Sequence, residues 1–113
     1  MSESMEQILF VNWMRKNHPE HRIFSIPNGG TRNRSEALRL KNEGVSAGVP
    51  DLFVPSLRLF IEMKAVDGGV VSLVQAGWIE YLRSVGYAAE VCNGLEAAKS
   101  VINKIVENSQ NNS

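Results

Sequence analysis

The chain has 113 residues, 43% hydrophobic and 21% charged, with Lys plus Arg and Asp plus Glu balanced at 12 each. That fits one soluble domain with one core, and no apolar run approaches the ~20 residues that cross a membrane. A single cysteine, Cys92, and two histidines, His18 and His21, exclude an internal disulfide framework and argue against a structural zinc site.

In chain order, helical spacing of Met5, Leu9 and Trp13 predicts a helix over 3–17, closed by Asn17-His18-Pro19 because proline disfavours helix in the residue before it. Residues 22–26 read as a short strand, stopped by the turn Pro27-Asn28-Gly29-Gly30. Asn33 or Ser35 can cap a second helix, 35–43, with Gly44 as its terminator. A glycine-containing loop leads to two strands, 51–55 and 58–64, joined through Pro55 and Ser56 as a hairpin. Ser72 opens a third helix with Val74, Trp78, Tyr81 and Val85 as its expected buried stripe. Gly86 ends it, and 87–92 is a further strand. Asn93, with Glu96 in capping-box position, is expected to cap a last helix whose core face is Leu95, Ala98, Ile102 and Ile105. Residues 1–107 are expected to form a single domain, and 108–113 a frayed, disordered polar tail. The order of elements predicts an α/β fold, a mixed β-sheet flanked by helices.

The opening Met1–Glu6 lacks the basic and apolar regions of a secretory leader, and a lone cysteine suits a reducing compartment, so a cytoplasmic location is expected. Zero net charge counts mildly against a nucleic-acid binder. However, Arg32, Arg34, Arg39 and Lys41 cluster within ten residues while acids dominate the first six. A neutral average can therefore hide a basic groove beside an acidic pocket.

The sharpest chemical signal is Pro50-Asp51 at the start of one strand and Glu62-Met63-Lys64 at the end of the next. Side chains two apart on a strand share a face, so Glu62 and Lys64 project together while Ile61 and Met63 point the other way. Two acids and a lysine on one sheet edge can hold a divalent cation, activate a water and stabilise charge at phosphorus. Mg²⁺ favours oxygen ligands, so Asp51, Glu62 and the Met63 carbonyl form a suitable set, with Lys64 beside the water or phosphate. Taken singly, an Asp at a strand start is commonly a turn residue, and Glu-x-Lys on a strand a solvated face. Glu6 borders the apolar positions Leu9, Phe10 and Trp13, yet a first-turn acid is also favoured by the helix dipole alone. Gln75 lies one turn before Trp78, near the expected buried stripe, where it can hydrogen-bond at the core edge; Trp78 itself reads as core.

These residues resemble the PD-(D/E)xK nuclease signature. The ordered set Glu6, Ile26–Gly30, Leu40-Lys41-x-x-Gly44, Gly48-Val49-Pro50-Asp51-Leu52, Ile61–Lys64 and Gln75-x-x-Trp78 resembles its VRR-NUC subfamily, in the compact stand-alone form of phage and bacteria. The resemblance implies a restriction-endonuclease-like fold and a Mg²⁺- or Mn²⁺-dependent DNA endonuclease. It further implies a homodimer that cuts branched DNA such as four-way (Holliday) junctions. It assigns Asp51, Glu62 and Lys64 to catalysis, Gln75 to a supporting position and Glu6 to the metal. The 28–34 loop would lie near the catalytic face, so Arg32 and Arg34 are expected on the DNA backbone and Asn28 near the site, with Arg39 and Lys41 as further contacts. Rival readings are a nicking, flap-cutting or restriction-like nuclease, a catalytically weak DNA-binding module, and a protein-interaction domain.

Overall fold

The computed structural model describes residues 1–29 and 33–111. The first helix, α1 (Glu3–Asn17), is capped by Ser2, whose hydroxyl accepts from the Met5 N–H at 3.1 Å. Its buried stripe is Glu6, Phe10 and Met14, an i, i+4, i+8 series. The expected Met5–Leu9–Trp13 stripe is therefore rotated outward, with Met5 exposed and Leu9 and Trp13 half-buried.

A two-residue edge strand, β1 (Phe24–Ser25), is followed by α2 (Arg34–Asn42), which Asn33 caps by accepting from the Ser35 and Glu36 N–H groups. The strands β2 (Leu52–Val54) and β3 (Leu59–Lys64) form the expected hairpin, but the connection is a 3₁₀ turn, Pro55–Leu57, closed by Arg58 in the left-handed region at φ 49°. Then come α3 (Leu73–Ser84), β4 (Ala88–Asn93) and α4 (Leu95–Asn111). The helix α4 includes residues 108–111, which the sequence suggested as tail.

The sheet has order β1-β2-β3-β4. Both β1/β2 and β2/β3 are antiparallel, and β3/β4 is parallel, with α3 as the crossover. Strand alternation sends Leu52, Val54, Leu59, Ile61 and Met63 to one face, where they pack with Cys92 against Phe10 and Met14 of α1 and Ala98 and Ile102 of α4. Burying each large side chain contributes about 1.5–3 kcal/mol. The Cys92 thiol is pushed up to about 12, first by burial and then by the charge of Glu90, and so behaves as a small core hydrophobe.

On the other face, α3 packs Ile79 and Leu82 over Ala89, Phe60 and Tyr87. The stripe expected for α3 is thus corrected: Val74, Tyr81 and Val85 are exposed and Trp78 is half-buried. Apolar residues lie on two sides of this helix, so periodicity alone cannot say which side meets the sheet. The helix α2 buries no side chain completely and stands beside α3 across a cavity of about 620 Å³, lined by Ala37, Leu40, Val45, Ala47 and Trp78 among others. The architecture is an α/β, restriction-endonuclease-like mixed sheet flanked by helices. No described helix is long and apolar enough to cross a membrane.

Candidate active site

The last residues of β3, the bend before β2 and the first turn of α3 meet at one end of the sheet. Asp51 lies in that bend. Its Oδ2 accepts from the Met63 N–H at 2.8 Å, and its Oδ1 accepts from Asn28 Nδ2 at 3.2 Å. The same Asn28 amide donates to the Val49 carbonyl at 3.1 Å, and the Ile26 N–H donates to the Asp51 carbonyl at 2.8 Å. The turn after β1 thus holds the Asp51 carboxylate against β3. A residue's N–H and carbonyl share one strand edge, so the Met63 carbonyl lies on the Asp51 side of β3.

Glu62 and Lys64 alternate with Ile61 and Met63 as expected, and Glu62 is only 2% exposed. Glu62 Oε2 accepts from Gln75 Nε2 at 3.1 Å and lies 3.5 Å from Lys64 Nζ. Lys64 Nζ donates to Gln75 Oε1 at 2.9 Å. Gln75 is also the N3 residue of a capping box: its Oε1 accepts from the Ser72 N–H at 2.9 Å while its own N–H donates to the Ser72 hydroxyl at 3.1 Å. One side chain therefore closes α3 and orients both Glu62 and Lys64. Gly48 lets the preceding loop approach this turn. Its φ is +89°, and a Cβ there would lie 2.5 Å from Val74 Cγ1 and 3.2 Å from the Gln75 nitrogen.

Carboxylate oxygens of Glu3, Asp51 and Glu62 lie within 4.8 Å of one another. Burial first, and then the Asp51 charge, push the Glu62 carboxyl up to about 7 against the opposing pull of Lys64. Glu62 Oε1 is buried with no hydrogen-bond partner among the described residues. A buried carboxylate oxygen is costly to leave unpaired, and a cation would satisfy it while offsetting the repulsion among the acids. Three carboxylates and a strand-edge carbonyl are oxygen donors suited to a hard divalent cation, so the residues present fit one.

The structure brings together Asp51, Glu62, Lys64 and Gln75, with Asn28 behind Asp51. It adds Glu3, which the sequence reading passed over. Glu3 is one turn before Glu6 on α1, and that i, i+3 spacing was the available signal. Glu6 is placed outside the acidic cluster. Its position on the buried stripe carries its carboxylate to the start of α4, where Oε2 accepts from the Leu95 N–H. Glu6 thereby takes the capping place expected of Asn93, which ends β4 and donates instead to the Ala65 carbonyl at 3.2 Å.

Of the basic residues, Arg34 stands exposed at the start of α2, Lys41 lines the cavity beside α3, and Arg39 pairs with Glu43 at 3.0 Å. Arg32 lies outside the described residues. His21 bonds to the Ser56 hydroxyl at 2.8 Å, and His18 lies 3.5 Å from Glu20. Ser56 is at the opposite end of β3 from Lys64, so neither histidine belongs to the cluster.

The model of the VRR-NUC domain family matches residues 2–96. A solved structure described as a VRR_NUC domain protein superposes with a TM-score of 0.80 at 29% identity, covering 95% of this chain and 89% of that one. No curated protein matches.

Proposed function

The chain belongs to the VRR-NUC family, a nuclease family, and from this premise we propose that it is a divalent-metal-dependent, structure-specific DNA endonuclease. The observation that carries the reading is the buried Glu62 Oε1, without a hydrogen-bond partner among the described residues, on a carboxylate clustered with those of Asp51 and Glu3, with Lys64 alongside. A bound Mg²⁺ or Mn²⁺ supplies Lewis-acid stabilisation of charge at phosphorus and makes water a better nucleophile. Glu3, Asp51, Glu62 and the Met63 carbonyl are the residues to hold it.

The remaining work falls to the chain's own groups. Lys64, fixed by Gln75, places a positive charge where the scissile phosphate gains negative charge. Asn28 and the Met63 N–H keep Asp51 in one orientation, so little reorganisation is needed during hydrolysis. Glu6 acts from behind by tying α1 to α4. Arg34 and Lys41, together with Arg32, are the basic residues to meet the DNA backbone. Arg39 is partly neutralised by Glu43 and contributes less.

The substrate is branched DNA, a four-way junction above all, cut by a homodimer. One domain this small offers little surface for a junction, and a two-fold pair presents two sites to two strands. The test is cleavage of a labelled four-way junction beside a linear duplex of the same sequence, in Mg²⁺ and in Mn²⁺, with Lys64→Ala as control. Junction-selective cutting lost in the variant supports the proposal. Equal cutting of both DNAs keeps the nuclease and discards the junction specificity. No cutting by folded wild type in either metal favours a DNA-binding module.

A further inference from the structure

A groove runs between the outer side of α1 and the edge strand β1. Ser4, Gln7 and Asn12 of α1 and Ser25 of β1 line about 310 Å³ of it, and Arg15 lies at its end. Arg15 also lines an adjoining hollow of about 240 Å³, together with His18, His21 and Arg22. The two spaces share this side chain and form one path. It starts at Ser4, next in the chain to Glu3 of the acidic cluster, and follows α1 to Arg15. At the helical rise that span is about 17 Å.

Among the described residues no acid lines either space. Glu20 lies 3.5 Å from His18 and 3.7 Å from His21, so it engages the imidazoles and not the arginines. Arg15 and Arg22 are both exposed, and neither has an ion-pair or hydrogen-bond partner among the described residues. The helix dipole alone favours a base such as Arg15 in a last turn. Arg22 stands beyond the helix, where the dipole gives no reason for it. Two unpaired guanidinium forks around one hollow match the geometry of a phosphate. The groove also lies apart from the basic residues already named. The helix α1 packs on one face of the sheet and α3 on the other, with α2 beside α3.

We propose that the α1–β1 groove takes the backbone of a duplex DNA arm running on from the scissile phosphate, with one phosphate seated between Arg15 and Arg22. This rests on the nuclease reading above and deepens it. Arms that diverge at a branch are held on two sides of the metal cluster, one along α1 and one beside α2. Successive phosphates of one duplex strand rise about 3.4 Å, which puts the seated phosphate about five nucleotides from the cut.

The test measures binding of a labelled four-way junction in Ca²⁺ by anisotropy, at several salt concentrations, with cleavage followed separately in Mg²⁺ and Mn²⁺. Arg15→Gln/Arg22→Gln should bind about tenfold more weakly, and its log–log salt slope should fall by about two. Lys104→Gln, an exposed base on α4, is the control for net charge. A series of junctions with neutral methylphosphonates stepped along one arm locates the seat. Wild type should lose affinity about five nucleotides from the cut, and the double variant should lose little more there, because the two changes remove one contact. A loss per charge no larger than that of Lys104→Gln overturns the proposal, as does full additivity at every methylphosphonate position. So does a variant that weakens binding only by turning a dimer into a monomer. Should the double variant not fold by circular dichroism, Asn12→Glu, an exposed change on the groove wall, decides: severalfold weaker binding supports the path and unchanged binding refutes it. Cleavage by wild type with binding unchanged in the variants removes the groove and keeps the nuclease. Binding lost in the variants, with no cleavage by wild type, keeps the groove and removes the nuclease.

Discussion

Replacing Glu62 with Gln should make the metal-free protein more stable at pH 8. Glu62 is 2% exposed, and its carboxyl is pushed up to about 7 by burial and by Asp51. The unfolded chain releases this proton near 4.5, whereas the native chain retains it until about 7. Between those values the native state binds more protons than the unfolded one, so stability falls as pH rises and the full loss is present above pH 7. A rise of this size corresponds to about 3 kcal/mol at full ionisation. Gln cannot ionise and escapes that loss. The pull of Lys64 is already contained in that value, Gln75 Oε1 still accepts from Lys64 in the variant, and relaxation and water entering around the charged Glu62 reduce the loss. A net gain of about 1–2 kcal/mol remains, roughly 4–8 °C in melting temperature for a domain of this size. The assay is thermal melting of wild type and Glu62→Gln in EDTA from pH 4 to pH 8. The gain should vanish below pH 4.5, and saturating Mn²⁺ should reverse the order by stabilising wild type alone. An equal or lower melting temperature for the variant at pH 8, or a difference independent of pH, would refute the reasoning.

Further outcomes follow from the same geometry. Glu3→Gln should weaken Mn²⁺ binding by about tenfold in calorimetry, whereas Glu6→Ala should leave it within twofold and cost about 1–2 kcal/mol of stability through the lost bond to the Leu95 N–H. Gln75→Ala should lower kcat by about 10–100-fold with a smaller change in KM, because Lys64 and Glu62 lose their shared hydrogen-bond partner; a KM effect alone would contradict the orienting role. Gly48→Ala should destabilise by about 1–2 kcal/mol for the positive φ alone, and more for the collision with Val74, as read by denaturant unfolding.

What could be read from the sequence was what depends on neighbouring residues. The bounds of α1, the Ser72 cap and the β2–β3 hairpin follow from local caps, turns and spacing. Strand alternation was sufficient to put Glu62 beside Lys64, the hairpin brought Asp51 to the same sheet edge, and the family pattern gave Gln75 its supporting place. What escaped depends on distant contacts. The bond from the Leu95 N–H to Glu6 spans 89 positions, and no local rule could prefer it to Asn93 as the cap of α4. Glu3 joins the cluster because α1 turns Glu6 inward with Phe10 and Met14, an angle that tertiary packing sets. The packing of aromatic rings across the sheet was invisible for the same reason. Phe24, Phe53 and Phe60 are scattered in sequence and meet only through strand register.

Gln75 closes the first turn of α3 with the same side chain that binds Lys64 and Glu62. First turns of helices open more readily than the global fold, and Leu73, the first helical residue here, is 92% exposed and adds almost no packing to resist it. Each fraying event therefore releases the lysine and the acid together. The fraction of molecules with Lys64 and Glu62 held together by Gln75 is set by a local helix–coil equilibrium rather than by global stability, and amide hydrogen exchange at Gln75 reads that equilibrium.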